Sequence, residues 1–75
     1  QPFKVGFSVT KKVGKSVVRS RVKRVMTEAF NVLLPRVNQA YNYIFSAKPE
    51  IVSLSFLEVL KEMETCLKKA NLLND

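Results

Sequence analysis

Seventy-five residues bound a single small domain, and a composition of 47% hydrophobic and 25% charged residues is globular rather than disordered. There is no histidine, Cys66 is the single cysteine, and no apolar run approaches the length of a bilayer. A disulfide framework, a Cys/His zinc site, imidazole catalysis and a membrane-spanning helix are thereby excluded.

The net charge of +7 is unevenly placed. Residues 1–25 hold eight bases (Lys4, Lys11, Lys12, Lys15, Arg19, Arg21, Lys23 and Arg24) and no acid, whereas residues 26–75 hold five bases against six acids. A basic excess confined to one third of the chain is a field aimed at something negative. Nucleic acid is the leading partner, because closely spaced phosphates release counterions when several cations approach together. An anionic membrane surface and an acidic protein are the rivals, and a solvated basic face with no ligand is the plain reading.

In chain order, Phe3, Val5, Phe7 and Val9 alternate with Lys4, Gly6, Ser8 and Thr10, the period of a half-buried strand. Lys11 to Lys15 read as a turn, with Gly14 as its permissive residue. From Ser16 to about Leu34 the period becomes helical, with Val18, Val22, Val25, Ala29, Val32 and Leu33 on one stripe. Ser16 is the expected N-cap and Pro35 the stop. Arg19 and Lys23 flank one side of the stripe, Arg24 and Arg21 the other, with Ser20 and Thr27 on the outer face. Cations at a helix N-terminus oppose the macrodipole by about 0.3–1 kcal/mol each. Lys15, Arg19 and Arg21 therefore point to an anion docking at that end.

Tyr41, Tyr43 and Phe45 alternate with Asn42, Ile44 and Ser46 in a second strand that Pro49 ends. A second helix runs from about Ser55 to Ala70, opened by Ser55 and Glu58 at capping-box spacing. Phe56, Val59, Leu60, Met63, Cys66, Leu67 and Ala70 form its stripe, so Cys66 reads as a buried small hydrophobe rather than a reactive thiol.

Three motifs weigh differently. Gly14-Lys15-Ser16 lacks the glycine that a phosphate loop needs five residues earlier, where Val9 stands, so nucleotide binding is rejected. Phe3, Phe7, Tyr41, Tyr43 and Phe45 could stack on bases, but at this length they are better used as core, with the tyrosines as the exceptions. A helix-turn-helix needs a helix before the basic one, and a strand precedes it instead. Membrane-surface or calmodulin-like docking would need an apolar stripe that the strands already occupy.

Lys4 to Gly14, running into Lys15-Ser16-Val17-Val18-Arg19-Ser20-Arg21-Val22-Lys23-Arg24, closely resembles the protein subunit of bacterial ribonuclease P. The family signature is a strand, then Lys-Lys-Val/Ile-Gly-Asn-Ala-Val, then an Arg-Asn-Arg helix. The likeness continues through Glu28-Ala29-Phe30, Ala47-Lys48-Pro49 and the closing helix, with Ser20 in place of the central Asn and Lys15-Ser16 in place of Asn-Ala.

The resemblance implies an α+β fold: a β-α-β-α portion of the ribosomal protein S5 domain 2-like fold, a small sheet covered by helices with a left-handed crossover. It implies an RNA-binding subunit of a cytoplasmic ribonucleoprotein whose catalytic RNA, using Mg²⁺, removes the 5′ leader of precursor tRNA. No catalytic residue or metal site is assigned to the chain. Lys11, Lys12, Lys15, Arg19, Ser20, Arg21, Lys23 and Arg24 would face the RNA. Family members place a helix and two strands ahead of the residues matched from Gln1-Pro2. Residues 1–75 are thus expected to lack those elements, leaving an incomplete leader cleft and open sheet edges through which copies associate by edge pairing or element exchange. The alternative is a general structured-RNA-binding module, ribosomal-protein-like, with no role in tRNA processing.

Overall fold

The computed structural model describes residues 4–74, so Phe3 of the first alternation and the opening Gln1-Pro2 lie outside the described residues. Strand β1 is Val5–Ser8 and pairs in parallel with β2, Tyr43–Ser46, setting Val5 opposite Tyr43 and Phe7 opposite Phe45. The Tyr43 N–H donates to the Lys4 carbonyl and the Ala47 N–H to the Ser8 carbonyl, both at 2.9 Å. Paired residues of a parallel ladder share a face, so Val5, Phe7, Tyr43 and Phe45 point inward while Gly6, Ser8, Ile44 and Ser46 point outward. Ile44 is 81% exposed. Parallel sheets ordinarily have both faces covered. This one is covered on a single side, and with only two strands each keeps a free edge among the described residues.

Parallel strands need a long crossover, and helix α1, Ser16–Leu33, supplies it. Its Phe30 enters the inward face of the sheet, edge-on to Phe7 (6.4 Å between ring centres) and to Phe45 (5.7 Å). Phe7 and Phe45 stack on each other at 5.8 Å. Met26, Ala29, Phe30 and Leu33 are buried with Val22, whereas Val32 is 55% exposed. The expected stripe is therefore corrected: Met26 and Phe30 join it, Val32 leaves it, and Val18 and Val25 are half-buried at its margin. The large apolar side chains win because Phe30 fills the gap between aromatic rings, which a valine would leave open.

The start of α1 also departs from expectation. Lys15, not Ser16, is the N-cap, and no side chain accepts from the first turn. Gly14, at φ +156°, turns the chain early enough that Ser16 is already helical. Leu34–Arg36 then form a 3₁₀ turn containing Pro35, which stops the α-helix as expected.

Helix α2, Phe56–Lys69, opens on the complete Ser55/Glu58 capping box. The Ser55 N–H donates to Glu58 Oε1 at 2.9 Å, and the Glu58 N–H donates to Ser55 Oγ at 3.2 Å. The helix packs on α1 along Val59, Met63 and Leu67. Phe56, Cys66 and Ala70 are exposed, so the expected burial of Cys66 is corrected: it sits at the margin of the stripe, facing an open cleft beside the end of β2. The C-terminus of α2 is a Schellman motif with Asn71 in the left-handed region at φ 57°. Leu72 N–H donates to the Leu67 carbonyl at 2.9 Å and Asn71 N–H to the Lys68 carbonyl at 3.1 Å. The chain then returns to pair Val37 with Leu73. Arg36 holds this corner by donating from Nη1 to Glu64 Oε2 at 3.0 Å and from Nε to the Asn74 carbonyl at 3.1 Å.

Candidate nucleic-acid interface

The basic residues gather where β1 gives way to α1. The Val13 N–H donates to the Thr10 carbonyl at 3.0 Å, and Val13 is buried, so a tight turn anchored in the core carries Lys11 and Lys12 outward at its tip. Lys15 follows as the exposed N-cap, and the Arg19 N–H donates to its carbonyl at 2.9 Å as α1 begins. Ser20, Arg21, Lys23 and Arg24 are exposed along the first two turns. Arg19 alone of the eight expected contact residues is half-buried, its Nε donating to the Gly14 carbonyl at 3.2 Å.

The two arginines of the signature diverge. Arg19 lies beside the Gly14 turn, while Arg21 lines a groove shared with Ile51, Val52 and Phe56 on the side where α2 begins. Between them, Thr27 on the outer face donates its hydroxyl to the Lys23 carbonyl at 2.8 Å.

Electrostatically the ridge is unopposed. Ion pairs in the fold join Glu64 to Arg36 and to Lys68, and among the described residues no acid lies within salt-bridge distance of Lys11, Lys12, Lys15, Arg19, Arg21, Lys23 or Arg24. No acid occupies the first turn of α1 either, so these cations and the unpaired N–H groups of the helix end add to one positive field.

The aromatic residues serve the core as expected for Phe7 and Phe45, and the expected exception is corrected at Tyr43, which is buried with them. Phe7, Tyr43 and Phe45 pack against Phe30 in the core, and the Tyr43 hydroxyl donates to the Asn38 carbonyl. Tyr41 is 55% exposed. Among the described residues no three of His, Cys, Asp and Glu gather where they could hold a metal ion, and no helix is long and apolar enough to cross a membrane. The Gly14–Arg19 bond escapes a reading of spacing alone; a glycine five residues ahead of an arginine at a helix start was its only trace.

Residues 1–71 match the family described as Ribonuclease P. The chain is 46% identical over 71 residues to the ribonuclease P protein component of Alkaliphilus oremlandii, covering 95% of this chain and 62% of that relative. It is 46% identical over 72 residues to that of Clostridium beijerinckii, covering 96% and 58%. The fold matches the structure of the Staphylococcus aureus RNase P protein with a TM-score of 0.81 at 32% identity, over 96% of this chain and 65% of that one. A mutant of that protein described as defective in mRNA degradation matches at 0.82 and 31% identity, over 95% and 59%. The chain thus spans about three-fifths of the length of the curated relatives it matches. With a family match over residues 1–71, relatives 46% identical across nearly the whole chain and a superposable fold, this chain belongs to the ribonuclease P protein family.

Proposed function

We propose that the chain is the RNA-binding protein subunit of a ribonuclease P ribonucleoprotein, in which the RNA component removes the 5′ leader of precursor tRNA. The observation that carries this reading is the unopposed ridge running from Lys11 to Arg24. Each phosphate neutralised by such a cation releases counterions, so affinity comes from the solvent as much as from contacts. The turn and the first two turns of α1 hold the cations on one rigid edge, which limits the side-chain entropy lost on binding. In this reading bond cleavage and the Mg²⁺ that supports it belong to the RNA, and the chain's part is to bind. Precursor tRNA is the shared substrate of the assembly, and the cytoplasm is its place of work.

The test is reconstitution with a ribonuclease P RNA. Log K for binding should fall linearly with log salt, and Arg19→Ala and Arg21→Ala should each reduce the slope by about one. Stimulation of precursor tRNA cleavage by the reconstituted complex separates this reading from a general structured-RNA-binding module, which would bind without stimulating. Slopes unchanged in both variants would remove α1 from the contact surface. The free edges of β1 and β2 also support association with a second copy, which sedimentation at high micromolar concentration measures; a clean monomer would sink that part of the proposal.

A further inference from the structure

A groove of about 260 Å³ lies between α1 and the corner where α2 begins. Val18 and Val25 form its α1 wall, Val52 and Phe56 the opposite one, and among the described residues Arg21 is its only charged lining residue. Val52 is 52% and Phe56 37% exposed, so apolar surface stays open to solvent directly beside the basic ridge. Apolar side chains gathered in one open groove beside charged residues, rather than scattered singly, mark a binding surface. Other clefts do not share this character. The one between the end of β2 and α2 sets Glu50 and Glu62 against Lys48, and another places Glu58 and Glu62 around Lys61. Acids in those walls repel a phosphate chain; the α1 groove has none.

We propose that this groove is a base-binding subsite, in which one unstacked nucleotide of the bound RNA inserts its base between Arg21 and the Phe56 ring while its phosphate remains on the α1 ridge. The inference rests on the RNA-binding reading above and adds a contact which that reading does not contain. A base is a flat apolar plate attached to an anion. The groove is an apolar slot with a cation at its lip, so the two match in shape and in charge. The Arg21 guanidinium is planar and can lie against a base face as readily as it can reach a phosphate. An apolar peptide side chain would fill the slot equally well but would bring no negative charge to the ridge around it.

The chain contains no tryptophan, so Phe56→Trp introduces a single indole reporter in the groove wall. A labelled ribonuclease P RNA is titrated into this variant, with anisotropy of the label reporting binding and indole emission reporting the groove. The expected result is quenching that rises with the anisotropy at the same midpoint. Inorganic polyphosphate added without RNA, which carries charge without bases, should bind the ridge and leave the emission unchanged. Phe56→Leu, which keeps an apolar side chain and loses the ring, should bind the RNA about tenfold more weakly with an unaltered salt slope. An anisotropy rise with constant emission, or wild-type affinity in Phe56→Leu, overturns the subsite while leaving the RNA-binding reading intact. Emission that changes with protein concentration in the absence of RNA also overturns it, assigning the groove to a second copy. No anisotropy rise at all would bring down both.

Discussion

Arg19 Nε donates to the Gly14 carbonyl at 3.2 Å, tying the first charged side chain of α1 to the turn that precedes it. A guanidinium has five N–H donors, and committing Nε inward leaves both Nη groups for a phosphate. The side chain is half-buried, so part of its rotamer entropy is already lost before RNA arrives. Gly14 makes this possible in two ways. Its φ of +156° is one that side chains rarely adopt, and a Cβ there would meet Val18 Cγ1 at 3.0 Å. Gly14→Ala is therefore expected to lower stability by about 1–3 kcal/mol and to weaken RNA binding, with the salt slope unchanged because no charge is removed. A thermal melt and a salt titration of the same variant check both halves. Parental stability in that melt would mean that the turn relaxes around the added methyl.

Phe30 is the meeting point of α1 and the sheet, with Phe7, Tyr43 and Phe45 around it at ring-centre distances of 6.4, 6.0 and 5.7 Å. Phe30→Ala should cost about 3–5 kcal/mol, much of the total stability of a domain this size. Phe30→Leu keeps more of the volume and should cost less. Denaturant unfolding monitored by circular dichroism gives both values. A loss below about 1 kcal/mol for the alanine variant would show that the aromatic cluster does not hold the helix to the strands.

What could be read from the chain beforehand follows how local each feature is. The capping box needs only Ser55 and Glu58, and the outward ridge needs only a helical period and the positions of Arg21, Lys23 and Arg24, so both were legible. The facing of α1 was not. Its valines outline a stripe of their own, but the true one is chosen across the molecule by Phe7 and Phe45, which draw in Phe30 and turn Val32 to solvent. Cys66 fails for a similar reason, since the cleft it borders exists only once β2 and α2 are in place. Ser16 looked like a cap because serine suits that role, yet the conformation of Gly14 shifts the helix start by one residue. The Schellman turn at Asn71 had a weaker signature than a glycine would have given.

Glu58 carries an acid-side signature. The Ser55 backbone N–H, and then its hydroxyl, hold the Glu58 carboxyl below its ordinary value of 4.5. A folded value lower than the unfolded one means stabilisation that is present above the ordinary value and is lost as pH falls through the depressed one. Glu58→Gln preserves the size and the reciprocal hydrogen bonding but cannot titrate. The gap in melting temperature between parent and variant should therefore narrow as pH drops below 4.5. A gap that stays constant down to strongly acidic pH would detach the carboxylate from the cap.

On the alkaline side the corresponding group is Tyr43. Burial, with a smaller contribution from neighbouring Tyr41, raises its hydroxyl above the ordinary 10.0, and that hydroxyl donates to the Asn38 carbonyl. The raised folded value makes its stabilisation complete below the unfolded value and progressively lost as pH climbs toward the folded one. Tyr43→Phe should cost about 1 kcal/mol at neutral pH by removing the hydrogen bond. It should also remove the late step from an ultraviolet tyrosinate titration. Retention of that late step in the variant would show that it does not belong to Tyr43.

Ser20 isolates the uncharged part of the interface. It lies on the exposed outer face of α1 between the two signature arginines, where the resemblance expects asparagine. Replacing it touches no core contact, so Ser20→Asn should leave stability within about 0.5 kcal/mol. An amide offers two donors and an acceptor where a hydroxyl offers one donor and an acceptor, so it can add one neutral hydrogen bond to an RNA edge. A net gain of about 1 kcal/mol corresponds to roughly fivefold tighter binding. The salt slope should not move, because a neutral side chain releases no counterion, whereas Arg21→Ala should lower it by about one. Measuring both variants across the same salt series separates charge from geometry at adjacent positions of one helix. If Ser20→Asn binds no tighter than the parent, position 20 faces away from the RNA and the contact surface must be rotated toward Arg21 and the groove beside it.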